Sequence, residues 1–210
     1  MQEVKAPTFT PLENVVGAFE NLTCPDEDWK QVYRKIANRI STGGYNLKQL
    51  LCLLDSRFSR VPEALFCCVV VDCSLVEDRQ EYTVSCGSNL SLANIGCSFL
   101  SWYVSSKMYK ERPGEQSFEQ LVEDLHKEEN LSSAFELLLL VYNKKEEQMS
   151  EEEWYTKIGE IPCVWDDRNL HRKQSICFLA LIGALSLRHQ SLAEFVCETT
   201  LHFKNKTQLV

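Results

Sequence analysis

The stretch Asp26-Glu27-Asp28-Trp29-Lys30-Gln31-Val32-Tyr33-Arg34-Lys35-Ile36-Ala37-Asn38-Arg39-Ile40 decides the fold class. Trp29, Val32, Tyr33, Ile36, Ala37 and Ile40 recur at the three- and four-residue spacing of one helical face. At 100° per residue these six cover an arc of about 140°, and Lys30, Arg34, Lys35 and Arg39 fall on the opposite half. The segment is therefore expected to be an amphipathic helix with a basic outer face. Pro25 suits its first turn, and Gly43-Gly44 is expected to end it.

The same pattern recurs on both sides of this helix. A short helix is expected over residues 11–19, and Asn46 is placed to cap a second one carrying Leu47, Leu50, Leu51 and Leu54. Leu92, Ile95, Phe99, Trp102 and Tyr103 share a face within 91–110. Ser117-x-x-Gln120, Ser133-x-x-Glu136 and Ser150-x-x-Glu153 each match a capping box, in which the hydroxyl and the later side chain satisfy each other's backbone amides. Within 167–189, the nearly continuous apolar run from Ile176 to Leu187 reads as a central helix buried on most sides, and Ser191 opens a last helix. Residues 64–86 are the weak point. Leu65-Phe66-Cys67-Cys68-Val69-Val70-Val71 favours strands as well as helices, although Pro62 after a candidate Ser59 cap tilts it toward helix; Glu81-Tyr82-Thr83-Val84-Ser85-Cys86 alternates. A small β-hairpin within 64–86 is the rival there. The fold expected is all-α, a compact bundle or short array of about eight to ten helices, in a single domain over 1–210 with a subdomain break near 111–116 at Glu111-Arg112-Pro113-Gly114.

Composition agrees with a globular chain: 44% of the 210 residues are hydrophobic and 25% charged, and no apolar run reaches the ~18 residues that span a bilayer. The first ten residues, MQEVKAPTFT, lack a basic flank leading into an apolar core, so no secretory leader is expected and an intracellular, cytoplasmic or nuclear setting follows. Cys52, Cys67, Cys68, Cys97, Cys177 and Cys197 lie in apolar stretches and are expected as reduced, buried thiols. The sequons beginning at Asn21, Asn89, Asn130 and Asn205 are read as helix caps rather than glycan acceptors.

Charge is segregated. Lys30, Arg34, Lys35, Arg39, Lys48, Arg57 and Arg60 oppose only Asp55 within 30–60, a net +6, whereas 111–153 carries a net −9. The overall charge of −8 repels nucleic acid on average. No Walker-type glycine loop, C-x-x-C, H-E-x-x-H or nucleophile elbow occurs, so neither cofactor nor metal is expected. Cys163, His171 and Cys177, and the Cys197/His202 pair, come nearest to a ligand set but at spacings that fit no common zinc pattern. His126 and His189 sit where helices are expected to end and where a cation complements the helix dipole.

The leading expectation is a non-catalytic helical protein-interaction module, an adaptor or regulatory subunit, using an acidic surface or an apolar groove. Glu151, Glu152, Glu153, Trp154 and Tyr155 are its candidate contact residues: the ring supplies apolar area and the carboxylates steer a basic partner. The first alternative is a nucleic-acid-binding helical protein using Lys30, Arg34, Lys35, Arg39, Arg57 and Arg60 against phosphates. The second is a cysteine-dependent enzyme on a helical scaffold, which needs a thiol and a histidine brought together by the fold.

Overall fold

The computed structural model describes residues 27–71, 89–111, 118–143 and 169–207, and every regular element among them is helical. There are seven α-helices: α1 (Glu27–Leu54), α2 (Glu63–Val70), α3 (Asn89–Glu111), α4 (Phe118–Leu125), α5 (Glu128–Asn143), α6 (Leu170–Arg188) and α7 (Gln190–Thr207). A short 3-10 helix, Ser56–Arg60, joins α1 to α2. The described residues thus hold seven helices against the eight to ten expected for the chain, and two of the expected ones, at 26–40 and from Asn46, are the single helix α1. The expected helix at 11–19, the second arm of the rival hairpin at 81–86 and the expected subdomain turn at 112–116 lie outside them.

The glycine pair does not end the first helix; α1 runs unbroken through it for 28 residues. The apolar stripe stays in phase across the pair, because Ile40, Gly44, Leu47 and Leu51 are spaced by four, three and four and all four are buried. Asn46, expected as a cap, is buried inside the same helix. Gly44 is there for space. A Cβ at this position would lie 2.5 Å from the Cys67 sulfur and 2.8 Å from the Cys67 backbone nitrogen, so α2 crosses α1 at backbone contact. Glycine costs a helix interior about 1 kcal/mol relative to alanine, and the close approach of α2 offsets that cost.

The run at 65–70 is helical. Phe66, Cys67, Val69 and Val70 are buried, and α2 packs against both α1 and α6, so enclosure on more than one side overrides the strand preference of its valines. Pro62 occupies the N-cap without a side-chain cap bond, while Ser59 belongs to the 3-10 helix and donates to the Ser56 carbonyl at 2.6 Å. The Ser133 capping box is likewise not a start, since Ser133 is exposed in the interior of α5. That helix begins one turn earlier, where Glu128 and Glu129 complement its positive end and the Lys127 carbonyl accepts from the Leu131 amide.

The central helix of the bundle is α6, which packs against α2, α3, α5 and α7. Cys177, Phe178, Ala180, Leu181, Ile182, Ala184 and Leu185 are all at most 1% exposed, so the apolar run occupies the middle of the core as its composition requires. Asn169 starts the helix in the left-handed region (φ 61°), which asparagine tolerates better than most residues. The closest packing is between α6 and α3, which run antiparallel. A Cβ on Gly183 would sit 2.0 Å from the Leu92 carbonyl oxygen, and one on Gly96 would sit 1.8 Å from the Leu179 oxygen. At His189 the chain turns from α6 into α7: its amide donates to the Leu185 carbonyl, and its own carbonyl accepts from Leu192 and Ala193. Helix α7 therefore starts one residue before Ser191.

Candidate functional site

Helix α3 has apolar residues around most of its circumference, and only one arc of them is covered. Leu92, Ala93, Gly96, Leu100, Tyr103 and Val104 face the core, whereas Ile95 is 39% exposed and Trp102, seven residues on, 50%. Half-buried Phe99 lies between these two on the same flank, its ring 5.3 Å from that of Trp102. From Trp102 to Lys110 this flank forms one wall of a groove of about 420 Å³. The other wall is α7, and Arg57 of the 3-10 helix closes one side.

Four charged side chains of the groove, Arg57, Lys107, Glu194 and Glu198, are held in place. Asp55 caps the 3-10 helix by accepting from the Arg57 amide at 2.8 Å, and its carboxylate also receives the Arg57 guanidinium through Nε (2.9 Å) and Nη2 (2.6 Å). This hydrogen bonding lowers the Asp55 carboxyl and raises the Arg57 guanidinium. The clamp lays Arg57 over the Phe195 ring, 5.8 Å from its centroid, and Phe195 in turn meets the fully buried Phe58 edge-on at 6.3 Å. Across the groove, Lys107 of α3 donates to Glu198 of α7 at 2.9 Å and lies 5.8 Å from the Tyr103 ring centroid. The Glu198 hydrogen bond raises the Lys107 ammonium, and burial, followed by the Glu198 charge, raises the Tyr103 phenol. Gln190 fixes Glu194 at 2.8 Å. The result is an aromatic floor of Trp102 and Phe195, rimmed by charges of both signs. A volume of this size accepts a few side chains, and clefts of about 300–1,000 Å³ are the usual scale for recognition.

Of the residues singled out in the sequence, Glu151, Glu152, Glu153, Trp154 and Tyr155 lie outside the described residues. Lys30, Arg34 and Lys35 lie in α1, whose side chains are described from Asn38 onward; Arg39 and Arg60 are exposed. Arg57 is not a free phosphate ligand, because the clamp with Asp55 already uses its guanidinium. His171 is exposed and lies 3.0 Å from the Ser132 hydroxyl, which also donates to Gln174 at 2.6 Å, whereas Cys177 is sealed in the core. Among the described residues no group of three or more potential ligands could hold a metal ion, and no helix is long and apolar enough to cross a membrane.

Two of the sequons are occupied structurally. Asn89 is 0% exposed and donates to the Val69 carbonyl, and Ser132 of the Asn130 sequon is 1% exposed. His126 does not serve as a cation at a helix end. Burial lowers its imidazole, and the ring contacts Cys97 and Ser101 instead. Cys52, Cys67 and Cys97 are free thiols, each pushed up by burial, Cys67 to about 12.

Sequence reasoning placed Trp102 and Tyr103 on one face and so missed the groove. The signal lay in finer phasing: Leu92 and Tyr103 are turned roughly 60° to 100° away from Ile95 and Trp102 on the helical wheel, which gives α3 a buried stripe and an exposed one. No protein-family model, curated protein or solved structure matches the chain.

Proposed function

We propose that this protein is a non-catalytic helical interaction module whose groove between α3 and α7 receives an amphipathic peptide of a protein partner. The observation that carries this reading is Trp102: half its surface is open, on a rigid helix, beside Phe195. Tryptophan at the centre of a cleft is the residue type most often found to dominate binding energy. The partner segment supplies an aromatic or aliphatic anchor to the Trp102/Phe195 floor. Lys110 on the rim meets its acidic flank, and Glu194 meets a basic one, so the charges set register and orientation more than affinity.

The test is selection of displayed random peptides on the full chain, followed by titration of synthetic copies. Selected peptides are expected to share one apolar anchor and to lose at least about tenfold in affinity on Trp102→Ala, a loss of 1.4 kcal/mol or more. Arg39→Glu, outside the groove, is expected to leave binding unchanged. Peptides that bind Trp102→Ala as well as they bind the native chain would refute the assignment of this groove.

A further inference from the structure

On the flank of α3 turned away from the groove, three side chains with chemistry of their own meet. Cys97 and Ser101 are one helical turn apart, and His126, in the turn after α4, reaches both. Its Nδ1 is 3.6 Å from the Cys97 sulfur and its Nε2 is 2.8 Å from the Ser101 hydroxyl. Proton counting assigns the tautomer. One tautomer satisfies both contacts of the hydroxyl: with the Ser101 proton on the Cys97 carbonyl at 3.0 Å, a ring N–H at Nε2 donates to the hydroxyl oxygen. Nδ1 then carries the lone pair, and the thiol donates to it.

We propose that Cys97, His126 and Ser101 form a thiol-modification site, at which a low-molecular-weight disulfide exchanges onto Cys97 while His126 carries the thiol proton. The proton passes from Sγ to Nδ1, and the thiolate attacks one sulfur of the disulfide. The S–S bond breaks as a new one forms to Cys97, and the departing thiolate takes the proton back from the imidazolium. Atoms and electrons balance, with the small disulfide as the oxidant. Ser101 is a positioning residue, because its hydroxyl holds the Nε2 proton and keeps Nδ1 facing the sulfur. Cys97 is partly exposed, so a small reagent reaches it, whereas Cys67 and Cys197 are buried.

Burial alone sets the resting state, raising the thiol and lowering the imidazole, so the pair rests neutral as S–H···N. Glu123, Asp124 and Lys127 flank the ring on its own segment; Lys127 pairs with Asp124 at 2.7 Å. The part of α6 that packs on this stretch of α3, Leu179 through Gly183, carries no titratable side chain. The reactive species is the proton-transferred pair, thiolate with imidazolium. Between the two titrations its population does not depend on pH.

That property gives the test. The full chain is incubated with oxidised glutathione across about pH 6 to 9, and the mixed disulfide at each cysteine is followed by mass spectrometry. The rate at Cys97 is expected to be flat around neutral pH, while Cys52, a partly buried thiol beside a lysine rather than an imidazole, climbs about tenfold per pH unit. His126→Gln is expected to remove the flat region and lower the neutral-pH rate at Cys97 at least about tenfold, with Cys52 unchanged. A Cys97 rate that climbs like that of Cys52 in the native chain, the absence of any adduct at Cys97, or a rate unchanged or raised by His126→Gln would overturn the proposal. Should His126→Gln fail to fold, the native pH profile alone decides.

Discussion

Gly183→Ala should destabilise the protein although it improves the intrinsic helix propensity of α6. The added methyl would lie 2.0 Å from the Leu92 carbonyl oxygen and 2.8 Å from the Gly96 nitrogen, both backbone atoms that cannot rotate away. Relief to an ordinary contact near 3.4 Å requires α3 and α6 to part by about 1.4 Å at the crossing, and a gap of 0.5–1 Å already forfeits a quarter to a half of each dispersion well. With on the order of fifty atom pairs at 0.1–0.2 kcal/mol across the crossing, the loss is about 3 kcal/mol. The propensity gain of about 1 kcal/mol offsets part of this, leaving about 2 kcal/mol of net destabilisation. For a chain of this length that is a fall in Tm of about 4–8 °C. Thermal and urea unfolding by far-ultraviolet circular dichroism measure it, with exposed Asn94→Ala on α3 as the control expected within about 0.5 kcal/mol of native. Gly96→Ala with Gly183→Ala should cost less than the two singles added, since helices already parted admit the second methyl more cheaply. A rise in Tm for Gly183→Ala would refute the reasoning, because propensity alone predicts that sign.

Other outcomes follow from the same geometry. The folded-state imidazole of His126 is lowered by burial, so its contribution to stability is full above the unfolded value of 6.5 and is lost as pH falls through the folded value; His126→Gln should flatten that acid limb in urea titrations. Cys67 works in the opposite direction: its thiol is pushed up to about 12 from an ordinary value of 9.0, so its contribution is full below pH 9 and is lost as pH rises toward 12. Cys67→Ser should shrink the alkaline loss seen in denaturant midpoints. Asp55→Ala removes the cap of the 3-10 helix and releases Arg57, which should cost about 1 kcal/mol by the same midpoints. If α1 instead used its basic face on RNA or DNA, affinity would fall steeply with salt and vanish in Arg34→Glu with Arg39→Glu; no such binding is expected at physiological ionic strength.

The helical character of the described residues was legible because apolar spacing along α1, α4 and α7 repeats the period of a helix, and that period survives any detail of packing. Boundaries were less legible, for a physical reason visible at Gly43 and Gly44. Glycine terminates helices when its freedom is needed at a left-handed position, yet it also permits two backbones to touch, and only the partner helix reveals which use applies. Ser133 teaches the same lesson: a hydroxyl with a glutamate three residues on resembles a cap, but the exposed outer face of α5 uses it merely as a polar surface residue. The groove was hidden further still. Arg57 and Phe195 are separated by most of the chain, and no local pattern announces that a cation fixed by Asp55 lies over that ring.

The Asn89 amide donates to the Val71 carbonyl at 3.2 Å, and its side chain holds the Val69 carbonyl, so the end of one described segment and the start of the next are latched together. These two ends are fixed to each other whatever the length of chain that joins them. Since doubling a closed segment costs only about 0.6 kcal/mol, this is where evolution or an engineer can splice in a reporter or a second binding element and leave the helical body standing.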